Sequence, residues 1–170
     1  MDSIEQRLQA IEDRLEIYNV ISAYGPVADG CNRDAMGRVY AQDGIYDVRG
    51  HRYFDGLEEL KDMMSGPGHL KLTWTGGAHV GTFPHVELDG DRAIATNYMI
   101  ILNRVESQPA VMRFDMSRIY LSRGPDGWRI DRRILDPLDG RESSRNLGAR
   151  VFEGPLQDAG ESADIYSVRR

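Results

Sequence analysis

Thr73-Trp74-Thr75-Gly76-Gly77-Ala78-His79-Val80-Gly81 lies where the chain changes texture. Before it, apolar residues recur at helical steps. After it, runs rich in Val, Ile, Thr and Tyr are separated by turn signals. The stretch itself reads as part of one long strand from Leu70 to Leu88, with Gly76-Gly77 and Gly81 as bulges or sharp bends. Asp89-Gly90-Asp91 is a hairpin signal that turns it into a strand from Ala93 to Val105. A third strand runs from Val111 to Ser122. Gly124-Pro125-Asp126-Gly127 folds it into a last one, Trp128 to Leu135.

Upstream, residues 3–24 read as one helix. Ser3 with Gln6 is a capping box, and Ile4, Leu8, Ile11, Leu15, Tyr18 and Ile21 form one stripe. Gly25-Pro26 breaks the pattern, since proline has no amide donor and disfavours a helical residue before it. A resumed, kinked helix would carry Val27 and Ala28 to Asp29. Asn32 or Asp34 caps a second short helix through Met36, Val39 and Tyr40. A turn at Gln42-Asp43-Gly44, short strands at 45–48 and 53–56, and a third helix from Leu57 to Met64 complete the first half.

Helices followed by an antiparallel meander predict the α+β class. A strongly curved sheet wrapped around a helix makes a cone open at one end. The cone is expected over residues 1–140. Residues 141–170 read as a tail that packs on the domain or on a neighbouring subunit, with Val151-Phe152 as its anchor.

Composition narrows the functional classes. With 41% hydrophobic and 28% charged residues, the 170-residue chain is an ordinary globular one with a real core. Its net charge of −6, with basic residues interspersed among acids, predicts no nucleic-acid partner. No run approaches the ~18 apolar residues of a membrane span, and Met1 to Leu15 has no apolar signal segment. The single cysteine, Cys31, allows no disulfide framework and no cysteine metal site, in keeping with a reducing cytoplasm.

Of the four histidines, His79 has the small neighbours Gly77, Ala78 and Gly81, which leave room for a ligand. His51 and His69 lie in turn-rich, polar surroundings and read as exposed, and His85 lies further along the strand. Asp29 on spacing alone reads as a capping or loop acid. No zinc spacing, phosphate loop or nucleophile elbow frames any of these residues. Tyr46, Val48, Met63, Met64, Trp74, Tyr98, Met112, Phe114 and Met116 are the candidate lining of an apolar cavity, which favours a hydrophobic, ring-containing small molecule.

Asp126-Gly127-Trp128-Arg129-Ile130, Tyr40-Ala41-Gln42-Asp43-Gly44-Ile45-Tyr46 and the order of elements over residues 3–137 resemble SnoaL-like members of the nuclear-transport-factor-two-like superfamily. Within it, the chain is most similar to the branch holding scytalone dehydratase, hexachlorocyclohexane dehydrochlorinase and bile-acid dehydratase. The resemblance places Asp29 and His79 at that branch's catalytic aspartate and histidine. It also places Tyr24 at an active-site tyrosine of the bile-acid enzyme and Arg133 at an active-site arginine of the dehydrochlorinase. Further polar groups of these relatives fall near Met99 and Ile101, which are apolar here.

The resemblance implies a cofactor-independent lyase of polyketide- or steroid-like metabolism, working as a homotrimer or homodimer. His79 would be the general base, Asp29 would orient it, and Tyr24 would donate a hydrogen bond. The same proton abstraction serves an isomerase or a cyclase. A non-catalytic module holding a hydrophobic ligand has the same fold. Epoxide hydrolysis by Asp115, Arg113 and Asp131 fits the spacing poorly.

Overall fold

The computed structural model describes residues 3–153. The chain runs α1 (Ile4–Asp29), α2 (Arg33–Met36), β1 (Tyr40–Val48), β2 (Arg52–Asp55), α3 (Leu57–Ser65), α4 (Pro67–Trp74), β3 (Ala78–Gly81), β4 (His85–Asp89), β5 (Arg92–Val105), β6 (Gln108–Gly124), β7 (Gly127–Pro137) and α5 (Glu142–Ala149). The seven strands form one curved sheet in the order β2-β1-β7-β6-β5-β3, with β4 also paired to β5. Only β1 and β7 run parallel, so the sheet is the mostly antiparallel one expected of the α+β cone.

The N-terminus of α1 is closed as its sequence requires. Ser3 Oγ accepts from Gln6 N at 3.2 Å, and Gln6 Oε1 accepts from Ser3 N at 2.8 Å. The helix then continues through Pro26 to Asp29, as the resumed helix required and with no break at Gly25-Pro26. Its buried residues explain why: Tyr24, Gly25 and Ala28 are all enclosed by the sheet, and that packing outweighs one lost helical hydrogen bond. The stripe also divides. Ile17, Val20 and Ile21 are buried, whereas Ile4, Leu8, Ile11 and Leu15 are exposed.

One polar cluster locks α1 to the β6–β7 hairpin. The carboxylate of Asp13, itself buried, accepts from Trp128 Nε1 at 3.1 Å and from Arg123 Nη1 at 2.7 Å. Glu16 Oε1 accepts from the backbone N–H of Trp128 at 3.0 Å. Trp128 is wholly enclosed and belongs to the same core as Tyr40, Ile119 and Ile130.

The second helix is shorter than its pattern predicts. Asn32 caps it, but it ends at Met36, and Tyr40 already begins β1. The greater departure lies between 67 and 88. The expected long strand is a helix, α4, followed by the short strands β3 and β4. Pro67 sits at the helix start, where its missing donor costs nothing. The helix stops before Gly76, which adopts φ +88°. The hairpin at Asp89-Gly90-Asp91 forms as expected, joining β4 to β5 with Asp89 opposite Arg92. At the C-terminus, α5 packs on the outer face of β6, where Met116 reaches under Gly148. The Phe152 ring stands 4.5 Å from that of His85, and residues 154–170 of the expected tail lie outside the described residues.

Candidate functional site

The end of α1 and the start of β3 bring Asp29 and His79 together. The ring Nδ1 of His79 lies 2.6 Å from Asp29 Oδ1. The backbone N–H of His79 donates to the other oxygen, Oδ2, at 2.9 Å. One carboxylate therefore fixes both the strand and the ring that it carries. A carboxylate only accepts, so Nδ1 carries a proton, and in the neutral ring Nε2 is the nitrogen with the lone pair. Nε2 has no hydrogen-bond partner among the described residues.

His79 opens onto a cavity of about 780 Å³. Its apolar wall comes from Val48 and Phe54 on the β1–β2 hairpin, Met63 and Leu72 on α3 and α4, Ile101 on β5 and Met112 on β6. Tyr24 stands edge-on to the His79 ring, with centroids 5.8 Å apart. It also neighbours Tyr46 at 5.9 Å and Tyr40 at 6.2 Å. The Tyr24 hydroxyl is buried and without a hydrogen-bond partner among the described residues. Burial pushes its pKa well up, and the nearby Tyr46 and Tyr40 add to this against the opposing charge of Arg133. Tyr24 thus keeps its proton at neutral pH.

Beneath Tyr24 lies Arg133. It is fully buried, its guanidinium is 4.5 Å from the centre of the Tyr24 ring, and its Nε donates to Ser117 Oγ at 3.2 Å. Beside it, Asp115 accepts from Arg113 Nε at 2.7 Å. Burial raises the Asp115 carboxyl pKa, and the Arg113 charge opposes that rise. Asp131 lies elsewhere, bonded to Ser122 Oγ at 2.9 Å, so Asp115, Arg113 and Asp131 do not form one set.

Tyr24, Tyr46, Val48, His79 and Met112 are all on the cavity wall. Seven other sequence candidates are not: Asp29 and Arg133 stand behind His79 and Tyr24 without lining the wall, and five candidate lining residues lie elsewhere. Met64 is enclosed in the core while its neighbour Met63 faces the cavity. Trp74, read as a strand residue, is instead the last residue of α4 and is 79% exposed. Tyr98, Phe114 and Met116 point to the outer face of the sheet. Tyr98 pairs with Met116, and Phe114 lies 5.2 Å from Tyr98. Side chains alternate along a strand, and the inward positions here are Met99, Ile101, Asp115 and Ser117.

His69 also departs from expectation. It is buried, not exposed: its Nε2 bonds the carbonyl oxygen of Ala28 at 2.8 Å, and its ring stacks on that of His79 at 5.6 Å. Burial holds its imidazole below the usual range, against the raising effect of that bond. It therefore braces the base in a neutral form. Pro67 after Gly66 was the available signal. A helix starting there places His69 and Leu72 three residues apart on one face.

Residues 9–134 match the SnoaL-like domain family. The chain belongs to that family. Among solved structures, it is similar to an NTF2-like protein with a cystatin-like fold from Novosphingobium aromaticivorans. The two are 32% identical with a TM-score of 0.83, covering 86% of this chain and 97% of that one. It shares its fold with two further proteins of the same organism. One is a candidate aromatic ring hydroxylase (24% identity, TM-score 0.61, 75% and 90% covered). The other is a candidate scytalone dehydratase (12% identity, TM-score 0.63, 79% and 88% covered). No curated protein matches the sequence. The SnoaL-like family includes enzymes, dehydratases and isomerases among them.

Proposed function

We propose that the protein is a cofactor-independent lyase that eliminates water, or a similar β-leaving group, from a hydrophobic ring-containing small molecule. The observation that carries this reading is the double grip of Asp29 on His79, at 2.6 Å on the ring and 2.9 Å on the backbone. With Nδ1 held by the carboxylate, the neutral ring turns its Nε2 lone pair to the cavity, which is the arrangement a general base needs. His79 Nε2 takes the proton from a carbon next to a carbonyl. The C–H electrons form the new double bond as the β-hydroxyl leaves with its own pair. The imidazolium then returns its proton to the departing hydroxide, so the products are alkene and water and the enzyme is unchanged.

During that step negative charge grows on the carbonyl oxygen. We assign Tyr24 to meet it, and Arg133 beneath the ring supports that role by favouring charge at the hydroxyl. Tyr24→Phe should slow turnover about 10- to 100-fold, the worth of one aimed donor in a dry site, with little change in thermal stability. A rate unchanged by this substitution removes Tyr24 from the mechanism.

The reading is tested by incubating the protein in heavy water with bicyclic aryl ketones, with and without a β-hydroxyl. Elimination predicts loss of water from the hydroxylated set, and exchange of the α-hydrogen in both sets. Exchange with a shifted double bond and no loss of water makes the protein an isomerase. Exchange no faster than with His79→Ala leaves the fold as a ligand-binding module.

A further inference from the structure

The cavity wall includes Arg52, Lys71, Arg104 and Arg113, with His51, His69 and His79, and no Asp or Glu. The chain as a whole carries a net charge of −6, so this wall locally inverts the charge of the protein. The four permanent cations are held differently. Arg113 is bound to the buried Asp115. Arg104 donates to the carbonyl of Ser107 across the β5–β6 turn. Arg52 and Lys71 have no ion-pair or side-chain hydrogen-bond partner among the described residues.

Arg52 and Lys71 also converge. Nη2 of Arg52 comes within 3.4 Å of the place where a Cβ on Gly68 would stand. Lys71 follows Gly68 by three residues on α4, so the two positions share one face of the helix. The first turn of α4 has no side-chain cap and no acidic residue, so its amide dipoles add to the positive field. The Arg52 charge acts against a positive charge on His69, and Asp29 behind His79 acts for it.

We propose that the substrate carries an anionic group, a carboxylate or a phosphate. Arg52 and Lys71, at the first turn of α4, hold that group at the cavity mouth while the ring lies against Tyr24 and His79. The assignment rests on the cavity being the substrate site, and it narrows the substrate from any hydrophobic ring compound to a ring acid or its phosphate ester. Anchoring one end of the molecule also fixes which carbon faces Nε2.

Calorimetric titration of the full chain with 2-naphthoate, 2-naphthyl phosphate and neutral 2-naphthamide tests this without any turnover. Solvent-exposed charge contacts are each worth a few-fold in affinity, so two should favour an anion by about 10-fold over the amide. The preference should shrink as potassium chloride is raised. In the R52Q/K71Q double variant it should fall below about 3-fold while amide affinity is retained. The anion that binds more tightly identifies the headgroup. Equal binding of the amide and both anions, or a preference that survives the double substitution, overturns the anion site and leaves the dyad reading intact. If none of the three binds, the cavity is not the site for such ring compounds, and both readings fail together.

Discussion

His79→Ala should reduce turnover more than any other single change at the site. It removes the base itself, and general base catalysis is worth about 10²–10⁴-fold. Asp29→Asn should come close to it, for a reason visible in the hydrogen bonds. The carboxylate accepts twice, from the ring and from the backbone N–H of His79. An amide has one acceptor and one donor on the same fork. Its oxygen is required by the backbone N–H, which can only donate, so its NH2 faces Nδ1. The ring must then accept at Nδ1 and carry its proton on Nε2, the wrong tautomer for a base. The double variant should be little worse than His79→Ala alone, since residues that act as a unit are not additive. Steady-state rates for the two singles and the double, with folding followed by circular dichroism, check this. Wild-type rates in a folded His79→Ala protein would end the general-base mechanism, and additive losses would separate Asp29 from it.

The α+β cone was legible because its signals were local. The Ser3–Gln6 box, the Asp89-Gly90-Asp91 hairpin and the Gly124–Gly127 turn each depend on a few adjacent residues. The approach of Asp29 to His79 was not local. It spans fifty positions, and the spacing of Asp29 alone suggested only a cap. Family resemblance supplied that pair. The misread parts share a different cause. Leu70, Leu72 and Trp74 alternate with Lys71 and Thr73 like a strand, and only Pro67 marked the helix they form. Tyr98, Phe114 and Met116 failed as lining residues because the facing of a strand turns on register, and a slip of one reverses it. The bulge between Ile101 and Leu102 is such a slip, and no residue type announces it. The cations Arg52, Lys71 and Arg104 come from three separate elements, so the linear sequence showed them only as interspersed charge.

Gly25→Ala separates the sequence argument from the structural one by sign. Gly25 lies inside α1, where alanine is ordinarily favoured by about 0.5–1 kcal/mol over glycine. In the fold, a Cβ at this position would lie 2.4 Å from the backbone oxygen of His79. That oxygen belongs to β3, which ends the sheet path next to β5. A backbone atom cannot rotate away as a side-chain tip can, so β3 must shift outward by roughly an ångström to restore ordinary contact. The expected result is a loss of about 1–3 kcal/mol of stability, the usual cost of overpacking. A base displaced by ~1 Å from its carboxylate and substrate should also cost about 10²-fold in rate. Because β3 is an edge strand, the rest of the sheet stays paired and the variant should still fold. Urea unfolding measures the first effect and turnover the second. A Gly25→Ala protein that is more stable than wild type and fully active would show that α1 and β3 do not touch there, and the dyad would lose its structural basis.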